Sequence, residues 1–414
     1  MTQGKKAFIG RKVGLAFLAV TLMVTGTLAF AQEESVLHSF ANGSDGVSPY
    51  CNLIFDAAGN LYGTTFAGGT YGGGTVFELS PISGGGWSEE ILHSFGSGSD
   101  AQNPYAGVAF NAAGDIFGMT FNGGAFGYGA VFALSPKPGG GWREKVLHSF
   151  NNNGQDGFNP EAGVILDSSG NLYGTTQFGG AYGGGIVFEL VNAGGSWFEN
   201  ILHSFDGNGK DGTDPQAGLI FDSSGNLYST TSQGGIHGDG TVFELGRKRA
   251  GGWGEKILYS FNSKGGKGFY PTAGLTFDTA GNLYGVTGVG GAYGEGVAFE
   301  LRPTVGGNWT ESTLYSFGAN SLNGYYPSGG LVFDSSGNLY GLANNGGAYD
   351  AGVVFELSPP MGGSWSYNVL YNFGATAEGR YPSGTLIFDA HGNLYGVTGG
   401  GGTDNFGTVF EVTP

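Results

Sequence analysis

From Phe55 to Gly69 the chain reads FDAAGNLYGTTFAGG: an apolar position, an Asp, a Gly-Asn turn, a second apolar run with an aromatic, and a glycine doublet. The same pattern returns seven times, opening at Asp56, Asn111, Asp167, Asp222, Asp278, Asp334 and Asp389, in steps of 55 or 56 residues. In the first copy, four apolar runs rich in β-branched and aromatic residues, Leu53–Asp56, Asn60–Thr65, Thr75–Leu79 and Trp87–Phe95, are each bounded by Gly, Pro, Ser, Asn or Asp. Such runs predict strands. Only Ala-Ala-Gly separates the first two, which suits a hairpin with Gly59 left-handed and the Asp56 carboxylate accepting from the turn amides.

Four antiparallel strands per unit and seven units predict an all-β fold, a seven-bladed β-propeller of four-stranded blades. The ends of the array predict how it closes. Six copies of the fourth strand carry a Trp (Trp87, Trp142, Trp197, Trp253, Trp309, Trp365) and end in LHSF, LYSF or LYNF, whereas the seventh copy reads GTVFEVTP. An orphan copy of that strand, SVLHSF at Ser35–Phe40, precedes the first repeat. Pairing it with Thr408–Val412 completes the last blade and covers an exposed edge.

Before the repeats, Lys5, Lys6, Arg11 and Lys12 precede the apolar run Val13–Thr25 and the small-x-small site Ala29-Phe30-Ala31. This is the form of a secretory signal peptide, residues 1–31, cleaved after Ala31. The remainder, 32–414, reads as a single propeller domain. No later apolar run is long enough to span a bilayer, so a secreted or extracellular chain is expected, with the periplasm as the other destination. Loss of the leader leaves 12 Lys and Arg against 33 Asp and Glu, a formal charge of -21. That surface repels phosphate backbones, so nucleic acid is not an expected partner. One cysteine excludes an internal disulfide framework and any cysteine-based metal cluster. The 87 glycines belong to turns, since 14% aromatic content is far above that of a disordered linker.

The units LIFDAAGNLYGTTFAGGTYGGGTVFEL and GGGWSEEILHSF resemble the tandem repeat of the choice-of-anchor GloVer proteins, across essentially all of 35–414. The resemblance implies export and a propeller, and no particular reaction. No sorting tail is recognisable near Pro414, which leaves attachment to the cell open. A looser likeness to kelch repeats, in the order Gly doublet, strand, Trp, bears on the fold alone.

Residues that could carry chemistry are mostly repeated ones. His38, His93, His148 and His203 share the LHSF slot with Tyr259, Tyr315 and Tyr371, so packing is the expected role. The VFEL glutamates, Glu78, Glu189, Glu244, Glu300, Glu356 and Glu411, have Ala133 as their counterpart in the second copy and read as hydrogen-bonding groups. DGNGKDG at Asp206–Gly212 has Lys210 where a calcium loop needs an oxygen ligand. GGTYGGG lacks the Lys of a phosphate loop.

Strand alternation puts the loops between strands two and three on the same face as the blade-to-blade loops. Tyr71, Phe126, Tyr182, Tyr293 and Tyr349 recur in the former, and Tyr50, Tyr105, Tyr270, Tyr326 and Tyr381 in the latter. Such aromatic, polar-tipped surfaces suit sugars. Symmetry breaks in the first loop set: blades four to seven each add a carboxylate, Asp239, Glu295, Asp350 and Asp404, with His237 beside the first. That arc, with the five aromatics, is the expected ligand-binding side, and calcium is the candidate cation there. The leading expectation is a monomeric propeller that binds an extracellular glycan or protein through this face. Binding is favoured over catalysis. The rival is a polysaccharide lyase or hydrolase with carboxylates in the central funnel, and a structural cell-surface module is the third reading.

Overall fold

In the computed structural model, which describes residues 1–2, 34–360, 362–374 and 378–414, the Asp-opened turn is the seed of each blade. Asp56 Oδ1 accepts from the amides of Ala58 (2.8 Å) and Asn60 (2.9 Å), and Oδ2 accepts from Asn60 Nδ2 (2.9 Å). Gly59, at φ 87°, closes the turn. The turn reverses Ile54–Phe55 into Leu61–Thr65, followed by Thr75–Pro81 and Trp87–Ser94, and these four strands form one antiparallel sheet in that order.

The array contains seven such sheets and one 3-10 turn, Ser321–Asn323, among the described residues. The seventh sheet takes its outer strand from Glu34–Ser39, paired antiparallel with Thr408–Val412 as the orphan strand requires. Gln32–Pro414 forms one compact unit. The predicted signal peptide, 1–31, lies almost wholly outside the described residues.

Packing between blades repeats as regularly as the turns. The first five residues of the second strand are buried in all seven blades. Its Gly63 leaves room for the Phe77 ring of strand three, which would lie 2.6 Å from an added Cβ. The Phe ending each fourth strand meets the third-strand Phe of the next blade edge-on. Phe40–Phe77, Phe95–Phe132, Phe150–Phe188, Phe205–Phe243, Phe261–Phe299, Phe317–Phe355 and Phe373–Phe410 have centroids 4.9 to 5.3 Å apart. Phe40, from the chain's first strand, fills the same position as its six counterparts, so the ring closes with the contact used everywhere else.

The loops do share a face. In blades one to five the blade-to-blade loop pairs with the loop after strand two, for example Gly46–Val47 with Ala67–Gly68. In blades six and seven the pairing is continuous with the sheet, giving the longer strands Tyr325–Phe333 and Gly379–Phe388.

Candidate functional site

Each inner strand is entered through a residue-Pro-residue segment that the neighbouring blade holds in place. The residue before the proline has a left-handed backbone in all seven copies: Ser48, Asn103, Asn159, Asp214, Tyr270, Tyr326 and Tyr381, at φ 53° to 66°. Its amide donates to a carbonyl in the preceding blade's glycine loop, as Asn103 does to Gly73 (2.7 Å) and Tyr326 to Glu295 (3.1 Å). The proline then lies against the last glycine of that loop. A Cβ on Gly74, whose φ is 96°, would come 2.8 Å from Pro104 Cδ and 2.3 Å from the Thr65 carbonyl. This is why the loop spells Gly-x-aromatic-Gly-x-Gly.

The residue after the proline faces a cavity of about 970 Å³. Around the ring that position is Tyr50, Tyr105, Glu161, Gln216, Thr272, Ser328 and Ser383, all lining the cavity. The blades share one backbone here and differ in side chain. Tyr50 and Tyr105 stack, centroids 5.5 Å apart at 27°, and Phe66 meets both edge-on. Tyr270, Tyr326, Asn344 and Asn345 add rings and amides from the other side of the sequence repeat. Burial, reinforced by Asp214, pushes the Glu161 carboxyl up to about 7. Among the described residues lining the cavity, Glu161 is the one acid, and none is Lys, Arg or His.

The five tyrosines of the blade-to-blade loops are therefore two structural sets. Tyr50 and Tyr105 follow the proline, whereas Tyr270, Tyr326 and Tyr381 precede it; Tyr381 is not among the cavity residues. The other aromatics, Tyr71, Phe126, Tyr182, Tyr293 and Tyr349, stand 56 to 68% exposed, and none of them lines the cavity.

The four arc carboxylates also occupy different slots. Asp239 and Glu295 are the residues whose carbonyls hold Tyr270 and Tyr326, Asp350 precedes that slot by one residue, and Asp404 sits where the other loops carry their aromatic. Asp239 accepts from Ser263 N (2.7 Å), Asp350 from the Tyr325 hydroxyl (2.7 Å), and exposed His237 lies 3.4 Å from Asn262 Nδ2. Glu295 lies beside the Tyr326 hydroxyl and raises its pKa. Asp404 is exposed. Among the described residues, none of the four falls in a group of three ligating side chains with atoms within 4.8 Å of one another. The VFEL glutamates do bond within their blades: the Tyr173 hydroxyl donates to Glu189 (2.6 Å) and that of Tyr284 to Glu300 (2.6 Å).

The residue after the proline was the missed signal. SPYCN, NPYAG, NPEAG, DPQAG, YPTAG, YPSGG and YPSGT align without gaps, and their third position runs from aromatic to acid to amide to hydroxyl.

Solved structures share the fold. An ancestral GH74 enzyme superposes with a TM-score of 0.57 at 12% identity, over 91% of this chain and 50% of that one. An ulvan lyase of polysaccharide lyase family PL25 gives 0.55 at 11% identity, over 91% and 95%. An extracellular domain from B. thetaiotaomicron gives 0.54 at 12%, over 92% and 42%. The chain spans half or less of the GH74 and B. thetaiotaomicron chains. No curated protein matches the sequence. Among the described residues no helix is long and apolar enough to cross a membrane. The profile of the Gloeobacter/Verrucomicrobia repeat matches residues 24–243 and 248–414, and the chain belongs to that family.

Proposed function

We propose that the chain is an exported propeller that binds a glycan in the mouth of its central channel. The observation that carries this reading is the break in symmetry after the proline. Seven equivalent backbones present a stacked Tyr pair, then Glu161 and Gln216, then three small hydroxyl residues, all in one cavity. Aromatic faces suit the apolar side of a sugar ring, and the acid, amides and hydroxyls suit its polar edge. A neutral glycan is favoured over an acidic one, because the cavity residues described include no cation to offset a uronate or sulfate and the chain is strongly acidic.

The GH74 and ulvan lyase likenesses support a polysaccharide-active enzyme as the second reading. Glu161, holding its proton near neutral pH, has the character of a general acid. A hydrolase needs a second carboxyl across the bond, and Asp214 is instead turned to Gln233 Nε2 (2.8 Å). Binding is therefore the leading reading.

The test is a glycan array with the purified chain, followed by product analysis on the hits. Tyr50→Ala and Tyr105→Ala should each weaken binding about 10- to 100-fold, the loss of one stacked ring at roughly 1.5–3 kcal/mol. Glu161→Gln should keep most of the affinity. Binding that survives both Tyr substitutions would place the ligand elsewhere, and products that vanish in Glu161→Gln would establish catalysis.

A further inference from the structure

The seams between blades carry a second set of chemical groups, on the outer side of the ring. In the seam between blades seven and one, His38 Nε2 lies 3.5 Å from Asp45 Oδ2 and 3.4 Å from Glu89 Oε1. Between blades two and three, His148 Nε2 is 3.3 Å from Asp156 Oδ2 and 3.7 Å from Glu199 Oε1. Between blades three and four, His203 Nε2 is 3.1 Å from Asp211 Oδ2 and 3.6 Å from Glu255 Oε1. The origin of each group is the same: the His from one blade's fourth strand, the Asp from the following loop, the Glu from the next blade's fourth strand. Every fourth strand bulges just before the His or Tyr slot, as between Val76 and Phe77 opposite His93.

Three features set these groups apart from ordinary ion pairs. In each group the Glu oxygen that faces the imidazole, Glu89 Oε1, Glu199 Oε1 or Glu255 Oε1, is buried and lacks a hydrogen-bond partner, and the same holds for His38 Nε2, whereas His148 and His203 bond their aspartates. The Asp211 side chain is only 9% exposed. Two carboxylates in contact also need a proton or a cation between them. Two of the remaining seams remove the problem. Between blades four and five, Tyr259 replaces the His and Lys267 replaces the Asp, so an ammonium pairs with Glu311. Between blades five and six, Tyr315, Asn323 and Tyr367 carry no charge, and the two rings stack at 4.1 Å. The seam between blades six and seven keeps two acids, Glu34 and Glu378, around Tyr371 with no imidazole. In the three complete groups the imidazole nitrogen lies 3.1 to 3.7 Å from the carboxylate oxygens. Donors around an ion at about 2.0–2.2 Å stand roughly 3–3.6 Å apart.

We propose that these three seams are divalent-cation sites, each ligated by one imidazole and two carboxylates, that clamp adjacent blades together. An imidazole in every set favours a first-row transition cation such as Zn²⁺ over Ca²⁺ or Mg²⁺. Solvent reaches the first site through a groove of about 770 Å³ lined by Asp45, Glu89 and Tyr71. The seam between blades one and two is a built-in comparison. His93 and Asp100 are paired there at 3.2 Å, but Glu144 does not join them in a three-ligand group. This proposal is independent of the glycan reading.

The test uses the purified chain freed of metal and titrated with Zn²⁺ by calorimetry, with Co²⁺ as a spectroscopic probe of nitrogen and oxygen ligation. About three equivalents should bind, the number of complete groups, and the melting temperature should rise and fall back with chelator. His38→Tyr, His148→Tyr and His203→Tyr should each remove one equivalent, and His93→Tyr none. Tyr is the replacement because Tyr259, Tyr315 and Tyr371 already fill that slot, so the variants should fold, as circular dichroism can verify. Absence of saturable uptake overturns the proposal, as does uptake that the folded triple His→Tyr variant retains in full.

Discussion

At the scale of single residues, the second blade shows how the repeated turn works by changing it. In the other six blades Asp opens the turn, Asn closes it, and a Tyr hydroxyl two residues on bonds back to the Asp, as Tyr62 does to Asp56 (3.3 Å). In blade two Asn111 opens and Asp115 closes, joined by Asn111 Nδ2 to Asp115 Oδ2 (2.8 Å). The amide and carboxylate have exchanged places and the turn still closes. Phe117 and Ala133 stand in the same blade where the others carry Tyr and the VFEL Glu. Hydroxyl and acceptor are thus lost as a unit, which avoids leaving either buried and unpaired. Asn111→Asp alone should set two carboxylates against each other and cost about 1–2 kcal/mol, measured by urea unfolding. Adding Asp115→Asn should recover most of it. Additive costs in the double-mutant cycle would show that the two side chains act separately.

At the scale of elements, the strand that matters most comes from the far end of the chain. Glu34–Ser39 reproduces the details of an internal fourth strand, including the bulge between Val36 and His38 and a Ser39 hydroxyl accepting from Thr403 N (2.7 Å). Phe40, fully buried, completes the series of Phe pairs. Phe40→Ala should therefore cost as much as Phe95→Ala, about 3–5 kcal/mol in each case, although only Phe95 lies inside the covalent array. Deleting residues 34–40 should cost more and expose the edge of Thr408–Val412 to self-association, visible by size-exclusion chromatography. A Phe40→Ala variant that melts with the parent would mean that the ring does not depend on this closure. These strands were legible because period-two burial and turn residues are local properties. The bulges were not, because one unpaired residue in a ladder leaves no mark on the apolar pattern.

At the scale of the whole molecule, the channel mouth can be probed by its titration. The folded chain holds the Glu161 proton more tightly than the unfolded chain does, since its pKa rises from 4.5 to about 7. The associated stability is full below about pH 4.5 and is lost as the pH rises through 7. Glu161→Gln has no such loss. Its stability relative to the parent should increase by on the order of 1 kcal/mol from pH 4 to pH 8, after allowance for partial exposure. A constant difference across that range would mean that Glu161 is well solvated. The acidic arc has its own test. If calcium binds there, changing Asp239, Glu295, Asp350 and Asp404 together to their amides should abolish a calcium-dependent rise in melting temperature. A parent melting curve indifferent to calcium and chelator would sink that reading.

Repeat number, strand order, ring closure and the shared face of the loops are all settled by the order of residues along the chain. Each depends on spacing and on whether neighbouring positions are apolar, and seven copies repeat the evidence. Which side chains meet was decided only by the tertiary structure. Tyr50, Tyr105, Glu161 and Gln216 are 55 or 56 residues apart from one to the next, yet they line one cavity because the ring brings the same slot of every blade to a common axis. His203 and Glu255 are likewise far apart in sequence and 3.6 Å apart across a seam. The same residue types in the outer loops, Asp239 and Asp404 among them, fall on different slots and do not converge. A linear pattern records which residues repeat, and only blade-to-blade packing determines which of those repeats point at one another.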